Sequence, residues 1–200
     1  MNRRPALALL FLLTPLAQAA ELPFLNSETE YSATRIIETS EGNFEQKVNW
    51  TPDKVRTETT IEGVVLLNIV RDDLGVMWIS NPAMGRCLEQ PVEDADAATQ
   101  LGGQYEANDV AYEELGEETL EGRKVTKYAV TAQDVETGPN TAYMWTTEEN
   151  ILLKMQMLPP ADAPELSFTM RLTDLETGPQ DGALFESPGN CISLDAMGQP

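Results

Sequence analysis

The sequence predicts a mainly β protein, a curled antiparallel sheet of half-barrel type with one or two short covering helices. Three observations predict it. Apolar and polar residues alternate with a period of two along most of the chain. Turn signals built from Gly, Pro, Asn and Asp recur about every 8–12 residues. Helix-like composition is confined to one short stretch.

The elements follow in order. Residues 30–39 alternate around Tyr31, Ala33 and Ile37, and Glu41-Gly42-Asn43 suits a hairpin turn. Phe44, Val48 and Trp50 then share one face, with Glu45, Lys47 and Asn49 on the other. After Thr51-Pro52-Asp53, one face carries Val55, Thr57, Thr59 and Ile61. Val64 to Val70 is almost continuously apolar, which suggests a strand covered on both faces. Val76 to Ile79 forms a short strand that ends at Asn81-Pro82.

Between Val92 and Tyr105 the pattern changes. Ala95, Ala97, Ala98 and Leu101 favour a helix, Asp94 or Asp96 can cap it, and Gly102-Gly103 stops it. A second short helical segment has room in residues 21–30. Strands resume at Arg123 to Ala132, Thr141 to Thr147 and Ile151 to Met157. The cleanest alternation runs from Glu165 to Thr173, with Leu166, Phe168, Met170 and Leu172 inward and Ser167, Thr169 and Arg171 outward. From Gly178 the tail reads as loop. These segments amount to about ten strands, a pattern suited to a barrel or half-barrel.

The first twenty residues read as an export signal. Arg3 and Arg4 precede an apolar core from Ala6 to Leu16, and Ala17-Gln18-Ala19 is a small-x-small cleavage motif. That core falls short of the roughly 20 residues a spanning helix needs. The expected organisation is a signal peptide at 1–20 and one β-rich domain at 21–200. No cysteine follows the cleavage motif, so no lipid can be attached there. The expected location is the periplasm, as a protein not integral to the membrane.

Composition narrows the function. Without Arg3 and Arg4 the chain has 11 basic and 33 acidic residues, a formal charge of −22. Nucleic acids and anionic membrane surfaces attract clusters of Lys and Arg, so neither is an expected partner. Cys87 and Cys191 form an even pair, which in an exported domain reads as a disulfide closing a loop of about 100 residues. The chain has no histidine, which removes Ser-His-Asp and Cys-His chemistry and every His-containing metal site. None of its seven serines has a Lys three positions later, and no phosphate-binding glycine loop occurs. No catalytic residue, metal or cofactor is expected. Asp134 to Asn140 echoes Asp174 to Gln180. Either copy offers carboxylates two apart, but too few oxygens for calcium, so both read as turns.

What remains is apolar. Met144, Met155, Met157 and Met170 are half of the eight methionines, and Met-lined surfaces adapt to varied apolar ligands. Such residues serve equally well as filling for a barrel core.

Several segments carry a family resemblance: 54–58 (Lys-Val-Arg-Thr-Glu), 69–71 (Ile-Val-Arg), 76–79 (Val-Met-Trp-Ile), then Pro82 and 87–89 (Cys-Leu-Glu). Leu120 to Tyr128, Tyr143-Met144-Trp145 and Leu152 to Met155 follow, then Gly178 to Asp181 and Leu184 to Pro188. In this order they resemble the DUF4412 family and, more broadly, the LolA/LolB lipoprotein-carrier type of fold. The resemblance implies about eleven strands in a half-barrel, helices in its mouth, a periplasmic location and a concave face that holds acyl chains. The carriers have longer helices and a basic surface, which this acidic chain lacks, so lipoprotein sorting itself is not the expected role.

The leading expectation is a periplasmic binding protein for a lipid or other apolar ligand. Its expected lining is Trp78, Tyr143, Trp145, Leu153, Met155, Phe168 and Met170. The alternative is an envelope protein–protein interaction module with a filled core. A carboxylate-based hydrolase is a third reading, for which no particular acid stands out.

Overall fold

The computed structural model describes residues 22, 27–92, 110–134, 138–159 and 167–193. Twelve strands form one sheet. They are β1 (Tyr31–Thr39), β2 (Gly42–Thr51), β3 (Lys54–Ile61), β4 (Val64–Arg71), β5 (Val76–Asn81) and β6 (Arg86–Pro91). Then come β7 (Val110–Leu120), β8 (Arg123–Asp134), β9 (Gly138–Thr146), β10 (Leu152–Leu158), β11 (Phe168–Thr177) and β12 (Cys191–Ser193). The sheet order is β12-β6-β5-β4-β3-β2-β1-β11-β10-β9-β8-β7. Two antiparallel meanders, β1–β6 and β7–β11, are joined by the pairing of β1 with β11. Among the described strands only β12 runs parallel to its neighbour, β6.

Local chemistry sets the hairpins. Type I′ two-residue turns, which match strand twist, need positive φ at both central positions. Glu62-Gly63 between β3 and β4 has φ of 51° and 81°, and Glu121-Gly122 between β7 and β8 has 50° and 75°. Glycine takes the second position of each at no steric cost.

The curl follows from what meets across the sheet. Five strands lie between β5 and β10. In a flat sheet, at about 4.8 Å per strand, they would stand roughly 29 Å apart. Yet Met77 of β5 and Met155 of β10 line one cavity. The sheet is therefore an open half-barrel, as its alternation predicts.

Most of the core lies along the concave side. Val48, Val130, Met144, Leu153, Met155, Met170 and Leu172 belong to one buried cluster, with Tyr31 stacked on Trp50 at 5.4 Å. A second cluster lies on the convex face, where Leu67, Ile69, Trp78 and Cys87 surround Phe185. Phe185 belongs to a 3-10 turn, Gly182–Phe185, in a strap that follows β11. The strap crosses the convex side strand by strand. Asn49 of β2 donates to Gln180 at 2.9 Å, Arg56 of β3 to the Leu184 carbonyl at 3.4 Å, and Arg71 of β4 to the Phe185 carbonyl at 3.2 Å. Cys191 then bonds to Cys87 on β6, 104 residues away in sequence. A loop of that size contributes about 4–5 kcal/mol in the chain-entropy picture.

Several expectations are corrected. The structure adds β6, β7 and β12 to the expected strands. β7 escapes the alternation rule because it is an acid-rich outer strand, mostly exposed, with a bulge between Glu114 and Gly116 that breaks the period. The described part of the tail is mostly irregular, as expected, but it is ordered by packing: it supplies the strap, a fully buried Phe185 and the three-residue β12. Among the described residues the helical segments are 3-10 turns of three or four residues. The helix expected in residues 92–105 lies outside the described residues, apart from Val92. Val64 to Val70 is not covered on both faces, contrary to expectation: Leu67 and Ile69 are buried under the strap, whereas Asn68 and Val70 line the open groove and Val64 is exposed. The second of the two echoed segments ends β11 and turns, with Gly178 N–H donating to the Glu30 carbonyl at 2.9 Å.

Candidate functional site

Register decides which side chains share the concave face. Alternation in β1 places Tyr31, Ala33, Arg35 and Ile37 together. Arg35 stands opposite Gln46 on β2 and Leu172 on β11, and Ile37 opposite Phe44 and Met170. Met170 pairs with Met155, and Met155 with Met144. On the other flank Val55 pairs with Val70, and Val70 with Met77.

These rows line a cavity of about 320 Å³ that is open to solvent on one side. Ile37, Met155, Phe168 and Met170 form one apolar wall, and Val55, Val70 and Met77 another. Arg35, Gln46, Thr57 and Asn68 form a polar band between them. The Gln46 amide is engaged, donating to Thr59 Oγ1 at 3.0 Å. Among the described residues no carboxylate lines the cavity, although the chain has 33 acidic residues.

Arg35 is the charged member of the lining. Part of its surface opens into the cavity, but protein packs closely around the guanidinium. Burial pushes its pKa below the ordinary arginine value, and the nearby Tyr31 partly offsets this. Burial likewise raises the Tyr31 phenol, against the pull of Arg35. The Arg35 Nε is shielded from solvent and has no hydrogen-bond partner among the described residues.

The seven residues expected to line a ligand site divide between the two faces. Met155, Phe168 and Met170 line the cavity, and Leu153 lies in the main core beside it. Trp78, Tyr143 and Trp145 do not join them. Trp78 packs under the strap and donates from Nε1 to Glu89 at 2.8 Å, while its neighbour Met77 faces the cavity. Tyr143 and Trp145 lie on the convex side, where Lys127 Nζ sits 4.7 Å and 4.8 Å from their ring centres and Lys154 Nζ sits 4.6 Å from Trp145. The reason is strand parity. Met155 pairs with Met144, so the residues flanking Met144 must point away.

Arg35 is not among the residues the sequence singles out. A signal for it exists: it falls at an inward position between Ala33 and Ile37, where a solvent-facing arginine does not belong.

Comparison with known proteins gives a fold and no family. No family model matches the chain, so the DUF4412 label gains no support, and no curated protein matches it. Among solved structures, an uncharacterized conserved protein from Thermus thermophilus superposes with a TM-score of 0.57 at 12% identity, covering 84% of this chain and 91% of that one. MucB of Pseudomonas aeruginosa, solved in complex with MucA, superposes with a TM-score of 0.55 at 16% identity, covering 86% of this chain and 60% of that one. The chain thus spans less than two thirds of MucB. The Mycobacterium tuberculosis lipoprotein LppX overlaps more loosely, with a TM-score of 0.42 at 14% identity over 75% of this chain and 88% of LppX. At these identities the likeness is one of fold.

Proposed function

We propose that this chain is a periplasmic binding protein that holds a lipid or other apolar molecule against the concave face of its sheet. The observation that carries the reading is the cavity itself. Interiors normally close to crystal-like density with few voids larger than a water molecule. Here an open groove of about 320 Å³ remains between walls that carry three methionines and Phe168, at the low end of the roughly 300–1,000 Å³ usual for ligand sites. Three methionines in the lining, Met77, Met155 and Met170, suit a flexible apolar guest. The leader-like residues 1–20 and the Cys87–Cys191 bridge support export to an oxidising compartment. The role involves no catalytic step.

Native mass spectrometry of protein purified from the periplasm tests the reading, together with titration of a fluorescent fatty acid. A co-purified lipid or saturable probe binding is expected. Apo protein that also ignores the probe would overturn it.

A second reading is an envelope interaction module. It is favoured by the fold shared with MucB, which was solved bound to MucA. Crosslinking in the periplasm separates the two, because the module predicts a protein adduct and an interior empty of lipid.

A further inference from the structure

Arg35 reveals what kind of apolar molecule the cavity suits. A cation drawn out of water is costly to hold without a partner. Other described arginines of the sheet are partnered: Arg71 meets Asp73 at 2.7 Å, Arg56 meets Glu58 at 3.3 Å, and Arg123 donates to the Leu175 carbonyl at 2.6 Å. Arg35 has no such partner among the described residues, and its cross-strand neighbours Gln46 and Leu172 carry no charge. Acids outnumber bases 33 to 13 in this chain, yet none of the described acids lines the cavity.

Building on the ligand-binding reading above, we propose that the ligand is a single-chain anionic amphiphile. Its oxyanion head, a carboxylate or phosphate, accepts hydrogen bonds from the Arg35 guanidinium. Its chain lies along Ile37, Met155, Phe168 and Met170. The guanidinium fork matches the geometry of such heads. The cavity volume suits one chain better than the several of a lipoprotein anchor. The net charge of −20 opposes an approaching anion at long range, and salt screens that repulsion more than it screens the buried contact. Binding is therefore measured at physiological ionic strength.

The experiment is calorimetric titration of the full mature chain with laurate, dodecyl phosphate, dodecanol and dodecyltrimethylammonium, each below its micelle concentration. Laurate or dodecyl phosphate should bind about tenfold or more tightly than dodecanol, and the cationic probe weakest. The better of the two anions identifies the head group. Arg35→Met should erase the preference by weakening the anions while leaving dodecanol binding in place. If that variant does not fold, the wild-type series decides alone. Equal affinity of wild type for laurate, dodecyl phosphate and dodecanol would overturn the head-group assignment and leave the cavity reading intact. Failure of all four to bind would overturn both.

Discussion

The two faces of strands β3 to β5 are finished in opposite ways. On the convex side Phe185 is 1% exposed and packs into Leu67, Ile69 and Trp78, and the strap that carries it is tied down by a disulfide. On the concave side Val70 and Met77, with the buried Val55 at the edge of the main core, border an open groove beside an arginine without a carboxylate partner among the described residues. Strands β4 and β5 thus have one face packed under the strap and one face bordering an open groove. The void is therefore not a shortage of apolar residues, since the chain had a large one to spare for the strap. The strap cluster closes the convex face of β4 to β6, while the groove on the concave side stays open beside the main core.

The comparison can be broken at its strongest point first. Phe185→Ala should lower stability by about 3–5 kcal/mol, because it removes a fully buried ring from a closed site. Urea denaturation measures this, and a loss under about 1 kcal/mol would mean that the strap cluster is not a packed core. Replacing both Cys87 and Cys191 by serine should cost about 2–5 kcal/mol. The same unfolding curves compared with and without reductant check it.

The hollow face should respond differently. Met77→Ala should cost only about 1 kcal/mol, because its side chain already borders a void, while probe affinity drops measurably. A stability loss as large as that of Phe185→Ala would show that the concave side is filled after all.

The smallest expected effect lies at the other end of the sheet. Trp145 Nε1 donates to Glu118 Oε2 at 2.8 Å, and with Lys127 this holds the Glu118 carboxyl below its usual range. A depressed folded pKa contributes stability that is present above the unfolded value, about 4.3, and is lost as pH falls through the folded one. The Trp145 indole N–H resonance should therefore shift in acid, below the ordinary glutamate range. In Glu118→Gln that step should be missing.

Much of this architecture is legible in the chain because one face of most strands is buried. Phe168, Met170 and Leu172 alternate cleanly with polar residues, so β11 and its inward face can be read directly, although the strand runs on to Thr177. β7 cannot be read, because an exposed outer strand has no buried face to impose alternation and its bulge shifts the period. The lining is half legible. Parity within a strand is visible in sequence, but which parity faces inward depends on register with the neighbours. That is why Tyr143 and Trp145, large and apolar, point by composition to the concave side that Met144 and Ala142 in fact occupy. Trp78 departs from expectation for another reason: its cover, Phe185, comes from a tail more than 100 residues away that carries no strand signal.

The central claim is that an apolar chain occupies the groove between Met155, Phe168 and Met170. The most direct measurement is a crystal structure of the protein grown with a bromine-labelled fatty acid, read by anomalous scattering. Bromine density among those three side chains is the predicted result. Bromine on the convex surface, or none in a well-ordered crystal soaked to saturation, would contradict it.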